Sequence, residues 1–202
     1  MDYITTPDII QLVKKEDIIT LPSPHLRQKS VKVSSVEEVK QLMQDMRSAA
    51  LDWEDSRPHE ISAALAAVQV DNLHRVIIVR SDFDDKAVRD FTVIINPEIV
   101  KYEGDLIEDY EGCLSVKDIY GKVKRYSKIR VKGLDEDGNE VKFKIDGFLA
   151  RVIQHEIDHT NGIVFIDHIR DNKDAFFKLD KKGELQPVDY EKHIQKNHIL
   201  WD

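Results

Sequence analysis

The chain has 202 residues, 41% hydrophobic and 34% charged, enough for one domain with a sizeable core. Its net charge of -8 repels phosphate and argues against direct nucleic-acid binding, and the local basic group Lys122, Lys124, Arg125 and Lys128 reads as a solvated face. No apolar run approaches the roughly 20 residues that span a bilayer. The opening residues MDYITTPDIIQLVKKED lack the layout of a secretory signal, and one cysteine makes no internal disulfide, so a cytoplasmic location with no membrane partner is expected.

Along the chain, Ser34 and Ser35 offer helix N-caps, with Glu37 and Glu38 as capping-box partners. Val36, Val39, Leu42, Met43, Met46, Ala50 and Trp53 then recur at helical spacing to about Asp55, with the Met and Trp positions read as core. Residues 75–79 and 92–95 are β-branched runs, the second stopped by Asn96-Pro97. Residues 128–133 turn Ile129 and Val131 inward, and Val141, Phe143 and Ile145 answer across an Asp137-Gly138 turn, which predicts an antiparallel hairpin. A second helix is predicted from an N-cap at Asp146 through FLARVIQHEIDHTN to a stop at Gly162. From about Asp171 the chain is polar, with a turn at Lys182-Gly183. The pattern predicts an α+β fold in which antiparallel β-sheets pack around one central helix, with an amphipathic helix nearer the N-terminus. Residues 1–170 would form one catalytic domain and 171–202 a C-terminal extension, not a separate domain.

The central helix carries His155-Glu156-Ile157-Asp158-His159. Positions i and i+4 share a helix face, roughly 6 Å apart along the axis, so both imidazoles reach one cation. Glu156 sits to the side, placed to take a proton from water at the metal, which supplies a Lewis acid and a general base for amide hydrolysis. A catalytic site needs a third protein ligand. Phe165 stands where an extended protease motif has its third histidine, and Glu184 lies in the turn-rich tail. The remaining candidate is Cys113, inside Glu111-Gly112-Cys113-Leu114-Ser115. A lone cysteine is commonly a small buried hydrophobe, but Gly112 and the polar neighbours point to a tight, polar site.

Three segments together resemble the peptide deformylase family: HEIDH preceded by Gln154, EGCLS at 111–115, and Ser62-Ala63-Ala64-Leu65-Ala66-Ala67-Val68-Gln69, a partial match to a glycine-containing motif. Their order matches the family's, as does Pro24-His25-Leu26-Arg27, and the resemblance covers about residues 18–169. It implies that Cys113, His155 and His159 bind the metal, that Glu156 moves the proton, and that the Gln69 amide and Leu114 backbone N–H hold the oxyanion. It implies Fe²⁺ as the physiological ion, with Zn²⁺, Ni²⁺ or Co²⁺ as substitutes. It also implies an N-formyl-methionyl peptide substrate, met on ribosome-associated nascent chains. Glu111 and Asp158 are candidates to orient ligand imidazoles, balanced by Arg125. Ser62 and Ala64 stand where the family has glycine, so their Cβ atoms narrow the cleft edge, and Ala63 shortens a pocket wall. Thr160 stands where a leucine is common. Two other readings are a zincin-like peptidase with its third ligand in the tail, and a metal-binding relative without efficient turnover.

Overall fold

The computed structural model describes residues 13–57 and 60–195, so most of the stretch read for a secretory signal, and the last residues of the extension, lie outside the described residues. Ser35 caps a single 3-10 turn, its Oγ accepting from the Glu37 N–H at 3.3 Å, and the Glu38 carboxylate accepts from the Ser34 N–H at 3.4 Å. That turn leads into helix α1, Lys40–Asp55, whose Leu42, Met43, Met46, Ala49 and Ala50 are buried. Trp53 is half-buried, packing against the edge of this core while also bordering a cleft.

Three strands follow: β1, Ala64–Ala66; β2, Val76–Arg80; and β3, Phe91–Cys113. All five residues of β2 are buried because both of its faces are covered. Val76 and Ile78 pack with α1, while Ile77 and Val79 alternate onto a second helix on the opposite face. Contrary to the expectation from sequence, Asn96-Pro97 does not end β3. Asn96 adopts a left-handed φ of 53°, Pro97 has no N–H for the ladder, and the register shifts between Ile95 and Glu98. The Asn96 amide bonds both backbone groups of Val33 at 2.9 Å, and the strand resumes beyond the bulge.

Strand β4, Val116–Leu134, returns antiparallel to β3 through the two-residue turn Leu114-Ser115. It pairs with β5, Glu140–Asp146, across the expected Asp137-Gly138 turn, and Ile129 and Val131 are buried. Helix α2, Gly147–Thr160, starts after Asp146, whose side chain makes no cap bond. It ends at Gly162, where φ is 76° and a Cβ would sit 2.5 Å from the Arg27 carbonyl oxygen, so the position admits only glycine without a shift. Ala150, Val152, Ile153 and Ile157 seat α2 against β1, β2 and β4.

The polar tail is less peripheral than its composition implies. β6, Phe176–Leu179, pairs with β4 at Tyr120 and Gly121, and β7, Leu185–Pro187, pairs with β6 through the Lys182-Gly183 turn. Phe176, Phe177 and Ile194 are buried, the last just after the short helix α3, Tyr190–His193. The seven strands form one hydrogen-bonded sheet, in the order β1-β2-β3-β4-β6-β7 with β5 beside β4, rather than separate sheets. Among the described residues no helix is long and apolar enough to cross a membrane.

Candidate functional site

Helix α2 and the β3–β4 turn meet at the floor of a cleft of about 540 Å³. The ligand atoms of Cys113, His155 and His159 lie within 4.8 Å of one another there. Cys113 Sγ is 3.2 Å from His159 Nε2 and is also approached by the Ser115 N–H at 3.4 Å, because the tight turn folds the next peptide back over the sulfur. The tightness depends on Gly112, where a Cβ would sit 2.6 Å from the Tyr120 ring. His155 Nδ1–H donates to Glu111 Oε2 at 2.9 Å, which fixes the ring and leaves Nε2 as the ligand atom. A thiol and two imidazoles in this convergence fit a divalent cation of intermediate softness.

The electrostatics describe a site built around positive charge. Burial disfavours a charged His155, yet the Cys113 thiol and the Glu111 carboxylate beside it hold its pKa well above the usual histidine range. Burial, with His155 alongside, pushes His159 well below that range. A divalent cation held here would supply the positive charge that Cys113 and Glu111 otherwise draw onto a proton. Glu156 is 5% exposed and its Oε2 has no hydrogen-bond partner, and burial pushes its pKa up to about 7. It lines the cleft together with His155 and Cys113.

Gln69 reaches the cluster from the first-motif segment. Its Oε1 accepts from the Ala66 N–H at 2.8 Å, which settles the amide orientation, so Nε2 faces Ser115 Oγ at 3.1 Å and Cys113 Sγ at 3.5 Å. Leu114 lines the same cleft. The substituted glycine positions are accommodated without strain, because neither Ser62 nor Ala64 has a positive φ. Ser62 is buried away from the cleft, while Ala63 and Ala64 line it.

Arg125 is not on a solvated face. It is 5% exposed and donates twice to Glu111, at 2.9 and 3.0 Å, and once to Asp158. Asp158 therefore acts on Arg125 and on His168, whose Nε2 is 2.7 Å away, rather than on a ligand imidazole. Glu184 lies in the β6–β7 turn, its N–H bonded to Asp180, and takes no part in the cluster. Phe165 stacks on His155 with ring centroids 5.9 Å apart and offers no ligand atom. Sequence reasoning assigned no role to Arg151, which donates to Glu111 Oε1 at 2.7 Å, although its position four residues before His155 placed it on the ligand face.

The family model described as polypeptide deformylase matches residues 15–175. The peptide deformylase of Thermomicrobium roseum is 42% identical over 171 residues, covering 83% of this chain and 93% of that protein. The crystal structure of a class I type b peptide deformylase from Acinetobacter baumannii with Met-Ala-Ser bound superposes with a TM-score of 0.67 at 32% identity, covering 79% of this chain and 99% of that one. That of Synechococcus elongatus, in complex with actinonin, gives 0.66 at 34% identity, covering 75% and 76%. The family match extends over α1, α2 and strands β1 to β5, which include the elements that carry the cluster, and the chain belongs to the polypeptide deformylase family.

Proposed function

We propose that this chain removes the N-formyl group from the N-terminal methionine of newly made proteins, in the cytoplasm, on nascent chains at the ribosome. The observation that carries the reading is the convergence of the Cys113, His155 and His159 ligand atoms at the floor of a cleft, with buried Glu156 beside them, its Oε2 unpartnered among the described residues. The bound Met-Ala-Ser of the Acinetobacter baumannii relative supports a peptide whose first residue is methionine as the occupant.

Cys113, His155 and His159 would hold a divalent cation, which would supply Lewis acidity and lower the pKa of water. Glu156 accepts the proton of the attacking water and passes it to the departing amine. The Gln69 Nε2–H and the Leu114 N–H donate to the oxyanion that develops on the formyl oxygen, and the bond from the Ala66 N–H to Gln69 Oε1 holds the amide in place for that role. Formyl is the smallest acyl group, so a crowded centre selects it by exclusion. Helix α2 is the central element of this machinery and α1 the amphipathic helix behind it. Residues 1–170 act as the catalytic domain and 171–202 as an extension that adds β6 to its sheet.

The physiological ion is Fe²⁺. Zn²⁺ stands above Fe²⁺ in intrinsic affinity for thiolate and imidazole, so protein purified in air carries zinc and turns over more slowly, while Ni²⁺ and Co²⁺ substitute well. The test is formate release from a formyl-methionyl peptide by apo-protein reconstituted anaerobically with each metal. Fast release by the ferrous protein, lost in air and preserved by reductant, is expected. No release at full ferrous occupancy overturns the function. Zinc protein as fast as ferrous protein, with neither sensitive to oxygen, overturns the metal assignment alone.

A further inference from the structure

Arg151 is 6% exposed, on a helix whose neighbouring residues Ala150, Val152 and Ile153 pack as ordinary apolar core. A buried guanidinium costs several kcal/mol of desolvation unless its donors are met. Its donors are met on the far side of the cleft. Nη1 donates to Glu111 Oε1 at 2.7 Å and to the Val123 carbonyl at 2.9 Å, and Nη2 donates to the Ile107 carbonyl at 2.6 Å. Nη1 also lies 3.5 Å from the Asp109 carbonyl. Three of these four acceptors belong to β3, which supplies Cys113, and Arg151 belongs to α2, which supplies His155 and His159.

Two arginines share the two carboxylates behind the cluster, with His168 touching Asp158 at the outer edge. Glu111 and Asp158 are the two carboxylates, Arg125 and Arg151 the two guanidiniums. Without Arg151, one arginine would serve both carboxylates, and the excess negative charge would fall on Glu111, whose other oxygen holds His155 Nδ1–H. A more negative Glu111 makes His155 a stronger donor and the cation a weaker Lewis acid. The Ile107 carbonyl would also be released, so the separation of helix and strand that sets the ligand geometry would loosen.

We propose that Arg151 is a positioning residue for this reaction: it braces the ligand-bearing helix against the ligand-bearing strand and balances the charge on Glu111, and through Glu111 it tunes His155. The inference rests on the metal-ligand reading given above, and the experiment separates the two. Full-length protein is reconstituted with Co²⁺, whose thiolate-to-metal charge-transfer band reports the ligand set independently of turnover. Wild type without such a band overturns the ligand reading itself. With the band present, Arg151→Met at matched cobalt occupancy is expected to shift it and to lower kcat by roughly 10- to 100-fold, the range seen when a group behind a metal ligand is lost. KM is expected to change far less, and Arg151→Lys is expected to restore part of both effects. A folded Arg151→Met protein with wild-type band and kcat, even at a lower Tm, overturns the proposal, because a purely structural arginine would behave that way. Where Arg151→Met does not fold, Arg151→Lys decides: one ammonium cannot reproduce the forked contacts, so an unshifted band and unchanged kcat overturn it, and a shift with reduced kcat supports it.

Discussion

Two carboxylates are buried in different parts of the molecule, Glu111 beside the Cys113–His155–His159 cluster and Glu54 on α1, and their surroundings differ. Glu111 receives both nitrogens of one Arg125 fork, Arg151 Nη1 and His155 Nδ1, so neither oxygen is idle. Glu54, on α1, receives the Arg80 Nη1–H at 2.5 Å and the Ser62 N–H at 3.0 Å on a single oxygen. Among the described residues its Oε1 has no partner, and neither has the nearby buried Ser62 Oγ. Both are buried ion pairs, but Glu111 acts outward on a ligand imidazole, whereas Glu54 and Arg80 tether the start of the first motif to α1 and β2. The contrast teaches that the same chemical device serves reactivity on the α2–β3 side and fixes the fold on the α1–β2 side. It follows that substitutions on the two sides separate turnover from stability.

The largest effect is expected on the α2 side. Glu156→Gln keeps the shape and the metal ligands but removes the proton acceptor, and kcat is expected to fall by roughly 10²–10⁴-fold with metal content unchanged. Metal analysis and steady-state kinetics on the same preparation check it. Near-normal turnover at full occupancy would remove Glu156 from the reaction. On the other side, Arg80→Met leaves Glu54 as an uncompensated buried charge, and a loss of about 3–5 kcal/mol in unfolding free energy is expected. Turnover per folded molecule should stay close to wild type. A stable Arg80→Met protein with impaired kcat would reverse the assignment of roles.

Gln69 sits where the two sides join, held by the first-motif backbone and aimed at Cys113. Gln69→Ala is expected to lower kcat by roughly 10²–10³-fold, since one donor to a developing oxyanion is worth that much, and to leave KM little changed. An effect confined to KM would mean that the amide binds substrate without selecting the transition state.

What the sequence revealed follows from the range of the interactions involved. The α1 stripe, the hairpin across Asp137-Gly138 and the i, i+4 pair His155 and His159 are local patterns, and each stands in the structure close to where spacing placed it. Asn96-Pro97 misled because both residues usually end a strand, and only the bond from Asn96 to distant Val33 turns them into a bulge. Arg125 reads from its basic neighbours as part of a solvated face, while its other reading, as the balance for Glu111 and Asp158, is the one that the ion pairs match. The tail reads by composition as a polar extension, while Phe176 and Phe177, which pair with β4, are buried with Ala175 and Ile194. Pairing across long separations decides burial, and burial decides whether a charged residue belongs to the surface or to the site.

The smallest effect is expected at the outer end of the Glu111 network. His168 lies 2.7 Å from Asp158 Oδ2, but its side chain is 37% exposed against 18% for Asp158. Arg125, at 5%, is the partner that Asp158 shares with Glu111. Water takes over a hydrogen bond lost at an exposed edge, and ion pairs there contribute roughly 0–1 kcal/mol. His168→Ala should therefore lower the unfolding free energy by less than about 1 kcal/mol and leave both metal affinity and kcat unchanged. Denaturant titration of the metal-loaded proteins, with competition by a chelator of known affinity, measures both quantities. A metal affinity weakened tenfold would show that Asp158 needs both partners to hold Arg125 against Glu111. The network around His155 would then extend to the protein surface instead of closing at the two arginines.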